Sequence, residues 1–352
     1  MISGIGVGAA CVAAPIYVTE LGEPEIRGTL GTFFQLQITI GFLLGYILGG
    51  TIDSFKVLAL VSSVVPVIFL LTYSFMPESP IFLRLNSKTD QARESLQFFR
   101  GRDYDVDSEL SKIVENQPAA NNNGKFSDLY TNKATLKAMI IALALMFFQQ
   151  MSGINAVLFN AVTIFQLSGS LLHPNVCTII CGVIQVGATY GATVLIDRLG
   201  RKMLLIISGG VTSLCLMILG AYFYMRQLEY DLNNFNFVPL ICIAVYLIVF
   251  SIGFGPIPWM IAGDIFSPQV KSLACSISAA FNWILAFMVT KFFNSLQDLI
   301  GIGFTLVLFA IICFSSVVFT IFVIPETKGK TFQEVQDLLS GQPVNTYVAN
   351  DE

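Results

Sequence analysis

Residues 138–165 read AMIIALALMFFQQMSGINAVLFNAVTIF: 28 residues without a charged side chain, but with three amides, Gln149, Gln150 and Asn155, near the middle. A bilayer crossing takes roughly 20 mostly apolar residues, because in lipid the backbone must satisfy its own hydrogen bonds. The stretch is long and apolar enough to cross, and amides in hydrocarbon are costly unless something there uses them. Eight further stretches meet the same test, at about 1–20, 30–50, 57–76, 176–196, 203–224, 237–262, 273–297 and 303–324. Composition agrees, with 55% hydrophobic residues and 12% charged, against about 25% charged in a soluble domain. The mean hydropathy is +0.73. The expected fold class is an all-α membrane protein with nine spans, and with no Lys or Arg before the first span it does not read as a cleavable signal.

If the nine spans alternate, the basic residues sort by side. Sixteen fall on one side and three on the other (Lys56, Arg226 and Lys291). The positive-inside tendency makes the richer side cytoplasmic, which puts the C-terminus in the cytosol. The only large polar stretch, 77–137, holds nine acids and nine bases and divides the spans three and six. Apolar positions at helical spacing (Leu96, Phe99, Leu110, Ile113) predict short cytoplasmic helices there, and Asn121-Asn122-Asn123-Gly124 reads as a flexible linker. The expected parts are a partial bundle over 1–76, a cytoplasmic linker over 77–137, a six-helix bundle over 138–326 and a cytoplasmic tail over 327–352.

Several function classes drop out. The net charge is −4 with no basic stripe, so nucleic acid is not an expected partner. With His173 the sole histidine there is no Ser-His-Asp or Cys-His set and no histidine-based zinc site, so neither enzyme chemistry nor a metal is expected. Cys177 and Cys181 stand one helical turn apart, but in an apolar stretch they read first as small hydrophobes. There is no Gly-x-x-x-x-Gly-Lys-[Ser/Thr] loop, so no ATP and no cofactor is expected.

The two halves echo each other. Glu20 and Arg27 stand seven residues apart near the end of the first span, as do Asp264 and Lys271 after the seventh. Pro-Glu-Ser at 77–79 follows the third span, and Pro-Glu-Thr at 325–327 follows the ninth. Repeated halves are how many secondary transporters build alternating access around a central site. In the second half the acid–base pair sits on the fourth of six spans, and in the first half on the first of three.

These residues resemble the sugar-porter family of the major facilitator superfamily, which includes the animal facilitative glucose transporters. The resemblance rests on Pro-x-Tyr-x-x-Glu at 15–20 with Arg27-Gly28, Pro-Glu-Ser-Pro at 77–80, and Gln-Gln-x-Ser-Gly-Ile-Asn-Ala at 149–156. It continues through Asp197-Arg198-x-Gly200-Arg201-Lys202, Gly-Pro-Ile-Pro-Trp at 255–259, Asn282-Trp283 and Pro-Glu-Thr-Lys-Gly-Lys-Thr at 325–331. The linker and fourth span look most like the insect facilitated trehalose transporters. The resemblance implies a major facilitator fold that lacks its first three transmembrane helices in this sequence. It also implies a plasma-membrane protein that moves a neutral sugar, a hexose or trehalose, by facilitated diffusion. The acid used by proton-coupled sugar porters lies in a span not found here. The rival reading is a non-transporting truncated or sensor-like relative.

A sugar is uncharged and covered in hydroxyls, so its site needs amides, which donate and accept, and aromatic faces. The resemblance places sugar contacts at Gln35, Gln149, Gln150, Asn155, Trp259 and Asn282, with Gln185 where relatives carry Asn. The competing reading is that such amides bond helix to helix, and Gln37 is left to packing. The same resemblance offers Glu20, Arg27, Glu78, Asp197, Arg198, Arg201, Asp264, Lys271 and Glu326 as a cytoplasmic gate pairing across the two bundles, the alternative being topology anchors. Gly255, Pro256 and Pro258, with Gly253, interrupt the seventh span as a hinge or a packing kink. Three departures from the pattern stand out: Ser251 where hexose carriers have Glu, Asn160 where they have an outer-gate Tyr, and Ile81 where Arg is usual.

One expectation is geometric. On an unbroken helix each residue turns about 100°, so Gln149, Gln150 and Asn155 point in three directions. Gly153 is the residue between them best suited to bending a helix. A bend or unwound turn near Gly153 is therefore predicted, bringing the three amides together and facing Trp259 and Asn282.

Overall fold

The computed structural model describes residues 2–22, 27–101, 104–115, 129, 133–168, 173–266, 268–327 and 332–340. All regular structure among them is helical. The Asn121–Gly124 linker and the tail beyond residue 340 lie outside the described residues.

The first half supplies α1 (Ile2–Leu21), α2 (Arg27–Thr51) and α3 (Phe55–Tyr73). A polar linker follows, with α4 (Pro80–Leu85), α5 (Thr89–Arg100) and α6 (Val106–Glu115). Helix α4 starts where the sequence marks it. The Ser79 hydroxyl accepts from the Phe82 amide at 3.3 Å, and Pro80 takes the first helical position, where its missing N–H is not needed. Leu83, Ala92, Leu96, Val106 and Leu110 close a small core of their own beneath these helices.

The second half comprises α7 (Lys133–Met151), α8 (Ile154–Phe159), α9 (Ala161–Ser168), α10 (Pro174–Leu199), α11 (Arg201–Gln227), α12 (Val238–Ile252), α13 (Ile257–Ile265) and α14 (Pro268–Val323), followed by the short α15 (Phe332–Ser340). Helix α14 packs on α11 and α7, while α10 packs on α12 and on α2 of the first half. One hydrophobic core runs through this half, from Ile141 and Met146 to Leu216, Phe254, Phe293 and Phe309. Lipid gives apolar helices no hydrophobic drive to associate, so close packing and interhelical hydrogen bonds hold this arrangement.

The span boundaries differ from the sequence reading in two places. The stretch 138–165 is three helices, α7 to α9, and 237–262 is two, α12 and α13. The expected separate spans 273–297 and 303–324 lie on either side of Gly301, where the backbone of α14 leaves helical geometry (φ 82°, ψ 154°). Among the described residues seven helical segments are long and apolar enough to cross a membrane, and α1 adds a shorter one, Ser3–Val18.

The halves are not equally covered. Helix α3 buries none of its residues. On α1 and α2, no atom lies within 4 Å of where a side chain would begin at Gly4, Gly6, Gly8, Gly41, Gly45 or Gly49.

Candidate functional site: an amide chain at a broken span

Helix α7 stops at Met151 and α8 begins at Ile154. Between them Gly153 adopts φ 80°, the left-handed region that a Cβ makes costly. Space forbids a side chain as well, since a Cβ on Gly153 would stand 2.7 Å from Phe309 Cδ2. The break is satisfied locally: the Ser152 hydroxyl donates to the Gln149 carbonyl at 2.6 Å, and the Tyr246 hydroxyl to the Ser152 carbonyl at 3.2 Å. In an apolar span such groups need partners of this kind.

The break gathers the amides into one connected chain. Asn155 Nδ2 donates to Gln150 Oε1 at 2.6 Å, and Gln150 Nε2 to Asn282 Oδ1 at 2.9 Å. Asn282 Nδ2 donates to Gln149 Oε1 at 2.7 Å. Gln149 Nε2 donates to the main-chain carbonyls of Phe254 and Gly255, at 2.7 and 2.9 Å. Gln149 and Gln150 are neighbours on one helix, and Asn282, reaching in from α14, joins them. Gln149, Gln150 and Asn282 are buried, whereas Asn155 is half-buried. The sequence reading had the three amides brought together and facing Trp259 and Asn282; Gln149 meets Asn282, and its Nε2 also lies on the carbonyls where α12 gives way to α13.

That second break lies between Ile252 and Ile257 and contains Gly253, Gly255 and Pro256, with Pro258 in the first turn of α13. Ser208 of α11 supports it, its hydroxyl accepting from the Phe254 amide at 3.3 Å. The first half meets the site here. Gln35 of α2 is buried, with its amide 3.5 Å from where a Gly255 side chain would begin. Phe34 meets Trp259 edge to face, ring centroids 6.3 Å apart. Gln37 is exposed. Gln185 is buried on α10, and its Oε1 has no hydrogen-bond partner among the described residues; the Ser251 hydroxyl is in the same position. Asn160 does not reach across but bonds back to the Ala156 carbonyl at 2.9 Å, separating α8 from α9. Tyr46 of α2 supplies the cross-half contact at this level, its hydroxyl donating to the Leu158 carbonyl at 2.9 Å. No sequence signal marked Tyr46, because its role depends on how α2 docks.

The charges at the span ends include several held by main-chain and hydroxyl groups. The Glu326 carboxylate sits on the N-terminus of α11, accepting from the Arg201 and Lys202 amides at 3.1 and 3.0 Å. Gly200 leaves room for it, since a Cβ there would be 2.8 Å from Glu326 Oε2. A carboxylate at a helix N-terminus is stabilised by the unpaired amides and the helix dipole. Glu20 receives the Ser79 hydroxyl within its own half, and Glu78 accepts from the Ser79 amide at 3.0 Å. Across the bundles, Glu20 lies within Coulombic reach of Lys271, which also faces Asp264 together with Arg201. The side chains of Arg27, Asp197 and Arg198 lie outside the described residues. Within the linker helices, Arg93 pairs with Asp107 and Arg100 with Glu109.

A further pair of contacts escaped the sequence reading. Arg100, at the end of α5, donates to the Leu21 carbonyl at 2.9 Å, and Gln336 of α15 donates to the Ile265 carbonyl at 2.7 Å. Leu21 follows Glu20 and Ile265 follows Asp264, so each half caps the corresponding main-chain oxygen of its repeat. The capping residues lie at unrelated spacings from the motifs, and no sequence pattern links them.

Comparison with known proteins gives a consistent result. Residues 1–339 match the family model for sugar (and other) transporters. The facilitated trehalose transporter Tret1 of Aedes aegypti is 41% identical over 343 residues, covering 97% of this chain and 42% of its own length. That of Bombyx mori is 40% identical over 338 residues, 96% of this chain and 66% of its own. Among solved structures, the proton:xylose symporter XylE bound to 6-bromo-6-deoxy-D-glucose matches with a TM-score of 0.76 and 28% identity, over 96% of this chain and 72% of that one. The inward-open conformation of XylE from E. coli gives 0.74 at 26% identity, over 96% and 71%. The chain thus spans less than half of the Aedes aegypti relative.

Proposed function

The chain belongs to the sugar (and other) transporter family, a family of carriers and not of enzymes, and on that premise we propose that it moves a neutral sugar, a hexose or trehalose, by alternating-access facilitated diffusion. The observation that carries this reading is the amide chain at the Gly153 break, a run of uncharged donors and acceptors inside an apolar span. Asn155, at its half-buried end, offers a carbonyl oxygen to a sugar hydroxyl, and Trp259 and Phe34, which meet edge to face, offer aromatic faces. Gln35 and Gln185 are the further amides that meet the sugar, Gln185 through its unpartnered oxygen. The name Tret1 carried by the insect relatives favours trehalose.

The same reading treats α14 as two crossings and α1 as one, giving nine, with a partial first bundle, a cytoplasmic linker and tail, and a six-span second bundle. The uncovered faces of α1, α2 and α3 are met in the transporting unit by three further spans. Gly153, Gly255, Pro256 and Pro258 are the hinges of the rocking motion. Glu20, Lys271, Asp264, Arg201, Glu326 and Glu78, with Arg27, Asp197 and Arg198, form the cytoplasmic gate. The protein resides in the plasma membrane with its C-terminus in the cytosol. A tag after Glu352 is then labelled only in permeabilised cells, and labelling of intact cells contradicts that orientation.

The test of function is counterflow of labelled trehalose and glucose in vesicles, using this chain joined to the first three spans of a relative. Saturable exchange that Asn155→Leu abolishes supports the proposal; no exchange of either sugar overturns it. A second reading, that the 352-residue chain alone is non-transporting, is favoured by the wholly uncovered α3, and it predicts background uptake for the chain by itself.

A further inference from the structure

Helix α8 is a six-residue segment with a joint at each end. Gly153 turns the chain before it, and Asn160, at φ −105° and ψ 13°, separates it from α9. A segment between two such joints can tilt without unwinding its neighbours, because the joints absorb the change in backbone angle. What keeps α8 in place therefore has to come from outside it. Helix α7 leaves the linker at Lys133 and runs to Met151 before the first joint, so α8 lies toward the membrane face away from the linker.

Helix α2 of the first half meets α8 along one edge and α10 along the next. On the α10 edge, a Cβ on Gly182 would stand 3.1 Å from Leu43 Cδ1 and 3.3 Å from Tyr46 Cδ2. One turn further on, a Cβ on Gly50 would stand 3.5 Å from Asn175 Cβ. On the α8 edge, the rings of Phe42 and Phe159 lie 6.3 Å apart, and the Tyr46 hydroxyl donates to the Leu158 carbonyl at 2.9 Å. Phe42 and Tyr46 stand four residues apart and so share a face of α2. Tyr46 serves both edges: Gly182 gives its ring a seat on α10, and its hydroxyl reaches α8. The acceptor has a reason to need it. Leu158 sits in the last turn of α8, where carbonyls run out of intrahelical donors, and in an apolar span an unmet carbonyl is costly. One neutral hydrogen bond shifts a two-state balance about fivefold, enough to bias the position of α8 and little enough to break.

We propose that Tyr46 is a positioning residue that latches α8 to the first half and so biases the two halves toward closure on the membrane face away from the linker. The latch rests on the geometry of α2, α8 and α10; its bearing on transport rests on the alternating-access reading above.

Tyr46→Phe removes the hydroxyl and keeps the ring on Gly182, so it tests the latch without emptying the seam. Hydrogen–deuterium exchange on the 352-residue chain in lipid nanodiscs is read at peptides covering 154–164 and 176–186. Tyr46→Phe is expected to exchange about fivefold faster at 154–164 and like wild type at 176–186. Tyr46→Leu, which also loses the ring, is expected to loosen both. Half-saturation for labelled trehalose and glucose is then measured from each membrane face, in vesicles holding the chain completed with a relative's first three spans. Tyr46→Phe is expected to shift the ratio of the two values about fivefold, toward tighter half-saturation on the face away from the linker. A loss of stability alone would not move that ratio. Unchanged exchange at 154–164 in Tyr46→Phe, or equal loosening at 176–186, overturns the latch. Faster exchange with an unchanged ratio overturns its bearing on transport and leaves the sugar reading standing. Faster exchange with no saturable movement of either sugar by the completed wild type overturns the sugar reading and the transport role together, and leaves the latch.

Discussion

The helices α1–α3 and the helices α7–α14 use the same residue device and meet opposite surroundings. Both are rich in glycine, which in membrane helices lets backbones approach closely. In the second half the approach is realised at several positions: a Cβ on Gly220 would stand 2.8 Å from the Gly303 carbonyl, and one on Gly209 would stand 2.9 Å from Val317 Cγ2, while Gly187, Gly191, Gly210 and Gly263 lie open. In the first half the ridges at Gly4 and Gly8 and at Gly41, Gly45 and Gly49 meet nothing. The repeated Pro-Glu motifs part in the same way. Glu326 seats on the amides at the start of α11, while Glu78, among the described residues, holds its neighbour's amide, and the Ser95 hydroxyl reaches its main-chain carbonyl at 2.6 Å. Similar sequence thus gives glycines packed on neighbouring helices in one half and glycines left open on α1 and α2 in the other.

The largest effect expected from this contrast is on transport. Joining the chain to three first spans of a relative is expected to turn background trehalose uptake in vesicles into saturable uptake, with α3 becoming protected from lipid-phase labelling. Robust uptake by the chain alone breaks the comparison, because the open half would then need no cover.

Stability comes next. Gly153→Val forces a branched side chain into left-handed backbone against Phe309, and is expected to lower stability by about 3 kcal/mol or more, from strain and overpacking together. Gly45→Val, in open space, is expected to change thermal unfolding in detergent by less than about 0.5 kcal/mol. Equal losses at the two sites would erase the distinction between filled and unfilled ridges. The smallest effect is at the carboxylates. Glu326→Ala removes a helix N-terminal anion and is expected to cost about 1 kcal/mol. Glu78→Ala, with one amide contact to lose, is expected to cost less in the same melt.

Much of this was legible in the sequence, for physical reasons that also mark where legibility ended. Spans are set by length and apolarity, so α2, α3, α10 and α11 lie close to where 30–50, 57–76, 176–196 and 203–224 put them. The Gly153 break could be expected because the amides around it have no common direction on a straight helix, and glycine is the residue that bends most easily. What the amides bond to was not legible. The orientation of Gln149 is dictated by two carbonyls more than 100 residues away, and those become acceptors only because α12 stops at Gly253. The turn at Gly301 falls in the gap the sequence left between 273–297 and 303–324, around which Gln297, Asp298 and two glycines interrupt the apolar run. Charges at the span ends announced themselves by their repeat. Their partners did not: Glu326 takes backbone amides, and Arg100 and Gln336 cap carbonyls, contacts that carry no sequence signature.

The central claim is that a sugar joins the amide chain at its Asn155 end. A cryo-EM structure of the completed transporter with trehalose tests it most directly. The account predicts a sugar hydroxyl about 2.8 Å from Asn155 Oδ1, a second near Gln150 Nε2 and a ring face against Trp259. Sugar density that lies away from Asn155, with the amide chain intact, would contradict it.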